Sequence, residues 1–396
     1  MRDRRLYRIM SLGHPKHRLS VSIPVVLLLA MLILSTGCLG KPPRSGEPSV
    51  AAVQNSGRAA VAVQNSDPIV TIVPDSGRAA VEVQDRSPVV AVAPDSVNVG
   101  VVEIPDVSGF KQVVAVSDAH GMADNLLHLL SACKLTTPDG HWLADRTLLI
   151  VVGDSIDKGP QGLEIIDLWR TLSVEAPHSG SRVVVLLGNH EAEFLADPNN
   201  KKAAALREEL QAKGSDVRAL LDPARPRGRF LRSLPLAARV GKRWLFCHAG
   251  WPPRMPYADF VAKAQSVLRA GDYKNDLLLD PDSILEKRAG RDGGKWWDDP
   301  ADVQDLKDRL TQDGLYGVVF GHQPEAFGLT GAVGAYDPHD ARLIKIDSGM
   351  APDAGAHFGH LLRFTAPDEL THDKRPTHIF SSGFDSDHPE LRTEAL

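Results

Sequence analysis

Asp, His and Asn recur at the ends of five apolar runs in this chain, and these side chains can hold metal ions or carry protons. The first run, Val113 to Val116, breaks into Ser117-Asp118-Ala119-His120-Gly121. The second, TLLIVV, enters Gly153-Asp154-Ser155-Ile156-Asp157-Lys158-Gly159, and the third, RVVVLL, enters Gly188-Asn189-His190-Glu191. A fourth run, RWLFC, leads to His248-Ala249-Gly250, and a fifth, YGVVF, to Gly321-His322-Gln323. Any one of these loops means little alone; the repetition carries the signal. Oxygen and imidazole donors without thiolate suit hard or borderline divalent ions such as manganese, iron or zinc. Three carboxylates and five His or Asn side chains exceed the needs of one tetrahedral ion. Two ions sharing a bridging carboxylate use them better, and such a pair clamps both the attacking and the leaving oxygen of a displacement at phosphorus. The pattern points to a two-metal phosphoesterase site.

Those loops must be brought to one place, and an α/β sheet does so, because its ligands bind outside the carboxyl ends of the strands. Between the first two runs, Leu126, Leu127, Leu129 and Leu130 fall at helical spacing. Residues Gly162 to Leu172 read as a second amphipathic helix before the strand Val183–Leu187. This βαβαβ alternation predicts crossover helices and a parallel start to the sheet. Residues 198–227 are polar and read as partly helical and surface-lying. Leu236–Val240 and Arg243–Cys247 flank Gly241-Lys242, the mark of a tight hairpin, so the sheet becomes mixed. Tyr257 to Ala270 reads as a helix, and the stretch from Gly271 to about Val303 as irregular. Tyr316–Phe320, Leu343–Ile346 and His360–Phe364 are the last expected strands.

The ordered set SDAHG, GDSIDKG, GNHE, HAG and GHQ resembles the calcineurin-like metallophosphoesterases. It looks closest to their phosphoprotein phosphatase branch, and within it to the bacterial Shewanella-like phosphatases. The resemblance covers roughly Gln112 to Phe364. It implies an α/β fold, a four-layer α/β/β/α sandwich of mixed sheets with the metal site at the strand ends. It also implies two divalent ions, manganese first, with iron or zinc as alternatives. By this resemblance Asp118 and His120 hold one ion, Asp154 bridges, and Asn189, His248 and His322 complete the other. Water between the ions is the implied nucleophile, His190 the general acid, and Asp157 the carboxylate that orients it. Glu191 is expected to support a backbone segment or a ligand histidine. Lys158 stands where the family has a phosphate-holding arginine, and it supplies charge without the bidentate fork. Arg232, in FLRSLP, resembles a second phosphate-binding arginine. Trp296 to Pro300, WWDDP, reads equally as a groove element or as an aromatic anchor.

The N-terminus has the pattern of an export signal: Arg2, Arg4, Arg5 and Arg8, an apolar run from Val21 to Leu34, then Ser35-Thr36-Gly37-Cys38. Cys38 resembles the acylated cysteine of a bacterial lipobox. Residues 1–38 are therefore expected as signal peptide with lipobox, and the chain as an extracytoplasmic lipoprotein of the cell envelope, held at the membrane by its N-terminal lipid. Residues 39–108 contain two copies of a 20-residue repeat, SGRAAVAVQNSDPIVTIVPD from Ser56 and SGRAAVEVQDRSPVVAVAPD from Ser76. With Pro68, Pro74, Pro88 and Pro94 and no aromatic residue, they read as a semi-extended linker. The enzyme domain is expected over 109–366 and a loose polar tail over 367–396. A net charge of -5, with no basic tract among aromatics, gives no support for a nucleic-acid partner. Cys133 and Cys247 are expected as free buried thiols. The expected activity is hydrolysis of a phosphate monoester on a phosphorylated protein or a small phosphoester. Hydrolysis of a phosphodiester or a diadenosine polyphosphate is the alternative, and an envelope scaffold whose repeats bind a partner is the alternative of another class.

Overall fold

The computed structural model of the chain describes residues 71–73, 80–82, 100–251, 255–355, 357–384 and 390–396. The signal segment with Cys38 and most of the repeats lie outside them. Two compact units are separated at Gln84 and Asp85. In the first, β1 (Thr71–Val73) pairs antiparallel with β2 (Ala80–Glu82) across the junction of the two repeats.

The second unit holds two six-stranded mixed sheets. Its strands are β3 (Val101–Ile104), β4 (Gln112–Val116), β5 (Thr147–Val151), β6 (Arg182–Val185), β7 (Ala237–Val240), β8 (Trp244–Cys247), β9 (Gly317–Phe320), β10 (Gly334–Ala335), β11 (Leu343–Lys345), β12 (His360–Phe364), β13 (Ile379–Gly383) and β14 (Arg392–Ala395). The helices are α1 (Ala123–Ala132), α2 (Gly162–Glu175), α3 (Asn189–Ala196), α4 (Ala204–Ala212), α5 (Val217–Leu221), α6 (Pro226–Arg232), α7 (Tyr257–Ala270), α8 (Asp276–Leu279) and α9 (Pro300–Gln312). One sheet runs β14-β13-β12-β4-β5-β6 and the other β10-β11-β9-β8-β7-β3. Strands β4, β5 and β6 are parallel neighbours, as the βαβαβ pattern predicts. The β7–β8 hairpin turns through Gly241 and Lys242, both at positive φ (59° and 68°).

Strand alternation sorts the core into layers. Val113, Ala115, Leu148 and Ile150 of one sheet share an apolar layer with Ala238, Trp244, Phe246 and Val319 of the other. The opposite strand faces, with Val114, Val116, Leu149 and Val151 on one side and Leu245 and Val318 on the other, pack with helical residues such as Leu126, Trp169, Phe260 and Leu310. The result is the expected α/β/β/α sandwich. It puts the carboxyl ends of β4, β5, β6, β8 and β9 beside one another.

Three expectations need correction. Strand β3 lies inside the stretch read as linker: Val101 and Ile104 are buried, and the strand pairs parallel with β7. The stretch read as a loose tail instead adds β13 and β14 to a sheet edge. Every residue of β14 is exposed, so no apolar alternation marked it. Helix α9 begins at Pro300, with Asp299 accepting from Ala301 N as its cap; it buries only Val303 and Leu310, too few for a strong period. Cys133 and Cys247 are free and buried, as expected.

Candidate metal centre

Three of the five loops, those after β4, β5 and β9, carry functional residues on strained backbone. Asp118 (φ 55°), His120 (43°), Asp154 (54°), Asp157 (67°), Lys158 (61°) and His322 (66°) all occupy the left-handed region. Such conformations cost on the order of 1–3 kcal/mol each and persist where surroundings over-determine them. Here the loops hold one another. Asp118 N donates to Gly153 O at 3.1 Å, His120 N to Asp154 O at 2.9 Å, and Gly121 N to Ser155 O at 2.9 Å. Close approach also explains two glycines. A Cβ on Gly188 would lie 2.2 Å from Asp154 Oδ1, and one on Gly321 would lie 2.1 Å from Asp118 Oδ2.

Asp154 is the meeting point. His120 Nε2 lies 3.5 Å and His248 Nε2 3.2 Å from the same oxygen, Oδ2, although the two histidines come from different sheets. The other oxygen accepts from His190 N at 3.0 Å. His120 Nδ1 faces Ile156 O at 3.2 Å and His248 Nδ1 faces Val152 O at 2.8 Å. With Nδ1–H donated to a carbonyl, each ring turns its Nε2 lone pair toward the cluster, the tautomer a metal ligand needs. Two triads able to hold an ion share Asp154: His120, Asp154 and His190, and Asp154, His248 and His322. Asn189 Oδ1 lies 3.0 Å from His248 Nε2. Asp118 Oδ1 lies 3.8 Å from His120 Nε2, and both Asp118 oxygens accept from His322 N. Burial and the neighbouring Asp347 carboxylate push the pKa of Asp118 well up, a repulsion that a divalent cation would relieve. This all-oxygen and nitrogen donor set fits two divalent ions sharing Asp154.

His190 and Asp157 form a separate contact, Nδ1 to Oδ2 at 3.1 Å. Burial opposes the charge on His190, but Asp154 and the Asp157 hydrogen bond outweigh it and raise its pKa. Glu191 is buried and accepts four backbone N–H groups: Asp154 at 3.0 Å, Ser155 at 2.7 Å, Ile156 at 3.2 Å and Gly188 at 3.0 Å. It ties the β5 loop to the β6 loop, the backbone support expected of it.

Beside the cluster opens a cavity of about 540 Å³ lined by Lys158, Asn189, His190, Lys202, Ala204, Ala205, Glu286, Arg288, His322 and Asp353. Lys158 Nζ stands 3.4 Å from Asp353 Oδ1. Arg232 is not brought here. It ends α6 and donates Nε to Leu221 O at 3.0 Å, with its guanidinium 5.5 Å from the Tyr273 ring centroid. Arg288, which the sequence reading missed, takes the place expected of a second cation, and donates Nε to His322 Nε2 and Nη2 to His322 O, both at 2.9 Å. Its only sequence signal was a basic pair, Lys287-Arg288, in a stretch without periodicity. Burial, with His248 and Arg288 nearby, holds His322 well below its usual pKa, as a neutral imidazole. Trp296 and Trp297 of WWDDP are buried and pack edge-on against each other and against Phe327; neither lines this cavity, while Trp296 lines a second one beside Trp251 and Arg291.

A sequence model of the calcineurin-like phosphoesterases matches residues 111–326. Shewanella-like protein phosphatase 1 of Plasmodium berghei is 35% identical over 80 residues, which is 20% of this chain and 22% of that protein. A symmetrical bis(5'-nucleosyl)-tetraphosphatase of Photobacterium profundum is 30% identical over 165 residues, 40% of this chain and 52% of that protein. The chain thus spans between about a fifth and a half of the length of these curated relatives. The crystal structure of a cold-active protein-tyrosine phosphatase from a psychrophilic Shewanella species superposes with a TM-score of 0.55 at 20% identity, covering 77% of this chain and 85% of that one.

Proposed function

This chain belongs to the calcineurin-like phosphoesterases, metal-dependent hydrolases of phosphoric esters, and on that premise we propose that its substrate is a phosphate monoester carried by a protein or peptide. The observation that carries this reading is the 3.1 Å contact between His190 Nδ1 and Asp157 Oδ2. Asp157 fixes the imidazole with Nδ1 occupied, so Nε2 is the atom that can hand a proton to a departing oxygen. An alkoxide leaving from a serine or threonine ester needs that proton, and a positioned acid contributes roughly 10²–10⁴-fold. A phosphate leaving group from a polyphosphate is acidic enough to depart with little help.

Two divalent ions, manganese first and iron or zinc next, would be held by Asp118, His120, Asp154, Asn189, His248 and His322. They supply a nucleophile from water near neutral pH and neutralise charge on the phosphoryl oxygens. Lys158 and Arg288, which both line the cavity, would bind the remaining oxygens of the ester, Arg288 with a planar fork and Lys158 as a point charge. Ala204 and Ala205 leave one wall small, which suits a side chain entering from a larger chain. Lipid attachment at Cys38 would place this activity in the cell envelope; incorporation of labelled lipid by the native chain but not by Cys38→Ser tests it.

A second reading is hydrolysis of a nucleotide polyphosphate. Lys202 joins Lys158 and Arg288 around the cavity, and three cations suit more than one phosphate group. The deciding experiment is a screen of the manganese-loaded chain against phosphoserine and phosphotyrosine peptides, a nitrophenyl diester and diadenosine tetraphosphate. The highest kcat/KM is expected with a phosphopeptide. A higher value with the tetraphosphate overturns the monoester assignment.

A further inference from the structure

Arg288 touches the metal cluster and the cavity at once, and its hydrogen bond to His322 conflicts with metal binding. Its Nε–H donates to His322 Nε2 at 2.9 Å. A neutral imidazole that accepts at Nε2 carries its proton on Nδ1. In that tautomer neither nitrogen is free, since Nε2 is taken by the arginine and Nδ1 holds the proton. Moving the proton does not remove the conflict. If Nδ1 becomes the ligand atom, the proton sits on Nε2 and faces the arginine N–H, donor against donor. If Nε2 becomes the ligand atom, the arginine is displaced outright. In both cases the Arg288 Nε contact must break for a neutral His322 to serve as a ligand.

The remaining contacts make that release local. Arg288 Nη2 donates to the His322 backbone oxygen at 2.9 Å, an acceptor that metal binding does not claim. The preceding carbonyl is pinned, because Gln323 Nε2 donates to Lys287 O at 3.0 Å and to Ala249 O at 3.2 Å. Arg288 itself is an exposed residue, so its side chain can turn without repacking the core. It already lines the cavity that holds His190 and Lys158.

We propose that Arg288 competes with a metal ion for His322, and that the guanidinium released by the ion, still tethered through Nη2, becomes the fork that grips the phosphoryl group. Metal loading and phosphate binding are then coupled through one side chain: the protein presents its phosphate fork only when the second ion is in place. This rests on the reading of the cavity as a phosphoester site, and the two can fail separately.

The test is calorimetric. Mn²⁺ is titrated into the purified full chain and into Arg288→Met, which can neither donate nor carry charge, and inorganic phosphate is then titrated into each manganese-loaded protein. The second Mn²⁺ should bind Arg288→Met about tenfold more tightly than wild type, the effect of removing one competing charge-assisted hydrogen bond. Phosphate should bind the variant at least tenfold more weakly. An arginine with only a structural role would weaken both ligands or neither. The manganese gain should persist at about 0.5 M salt, where repulsion from an exposed charge is screened; a gain that disappears there overturns the competition and leaves simple repulsion. Unchanged or weaker manganese binding, with an unchanged melting temperature to show that the variant folds, also overturns it. Tighter manganese with unchanged phosphate affinity overturns the fork, while the competition for His322 and the phosphate reading of the cavity stand; no phosphate binding to either loaded protein overturns that reading.

Discussion

The two sheets furnish the site in different ways. The sheet containing β4, β5 and β6 supplies whole loops: Asp118 with His120, Asp154 with Asp157 and Lys158, and Asn189 with His190 and Glu191. From the other sheet, β8 and β9 each supply one histidine, His248 and His322. Adjacent loops hydrogen-bond through the backbone on both sheets, Asp118 N to Gly153 O on the first and Gly321 N to His248 O on the second, but each loop of the second brings a single imidazole, His248 against one carbonyl and His322 against one arginine. The difference suggests a division of labour. On the proposed roles, the first sheet would carry the bridge and the proton donor, and the second would complete one ion site with His248 and His322.

The largest expected effect lies where the two contributions join. Asp154→Asn should remove activity and reduce bound metal toward one ion or none, because His120 and His248, one from each triad, both face its Oδ2. His248→Ala, on the second sheet alone, should empty one site and leave the other filled. Elemental analysis of the two purified variants distinguishes the roles. Equal metal content in Asp154→Asn and wild type would break the comparison at its base.

Next in size is His190. It sits within reach of one triad, yet its Nδ1 is occupied by Asp157, so the chemistry assigns it a proton rather than a metal. His190→Ala should slow hydrolysis of a phosphoserine peptide by roughly 10²–10⁴-fold and of a nitrophenyl ester far less, with metal content near wild type. Asp157→Asn should follow the same pattern more mildly. Loss of metal, or equal slowing of both substrates, would make His190 a ligand and move the acid elsewhere.

This contrast between sheets also explains what could be read from sequence. A loop that carries two or three functional residues leaves a local motif, and Asp118-x-His120 or Asn189-His190-Glu191 needs no tertiary information to be noticed. His248 and His322 were legible only because an apolar run preceded each. Arg288 had neither advantage: it lies 34 residues before His322, in the irregular loop between α8 and α9, and only folding sets the two side by side. Strand β14 escaped for a related reason. An edge strand exposed along its length has no buried face, so it reads like a tail.

Glu191→Gln probes the cross-loop tie on the first sheet. Four backbone N–H groups converge on this carboxylate, and an amide would turn its own NH₂ toward at least one of them. A buried donor left facing a donor costs about 1–3 kcal/mol. The denaturant midpoint should fall accordingly, with the slope unchanged. An unshifted midpoint would mean that the strained loops stand without Glu191, and that the first sheet is no better braced than the second.

The smallest expected effect concerns Arg232, and it separates sequence resemblance from placement. Its Nε is committed to Leu221 O, and its guanidinium lies near the face of Tyr273, so it joins α5, α6 and the segment after α7. Neither sheet presents it to the cavity. Arg232→Ala should therefore lower stability by about 0.5–1.5 kcal/mol, the usual worth of one such hydrogen bond, and leave kcat/KM for a phosphopeptide within about twofold of wild type. Arg288→Ala should do the reverse, since it is an exposed residue whose contacts are with His322 and the cavity. Measuring melting temperature and kcat/KM on both variants gives four values with a crossed pattern. If Arg232→Ala instead lost phosphate affinity while Arg288→Ala kept it, the second phosphate-holding cation would come from the α6 region and not from the loop between α8 and α9. The competition for His322 would then have no phosphate to serve.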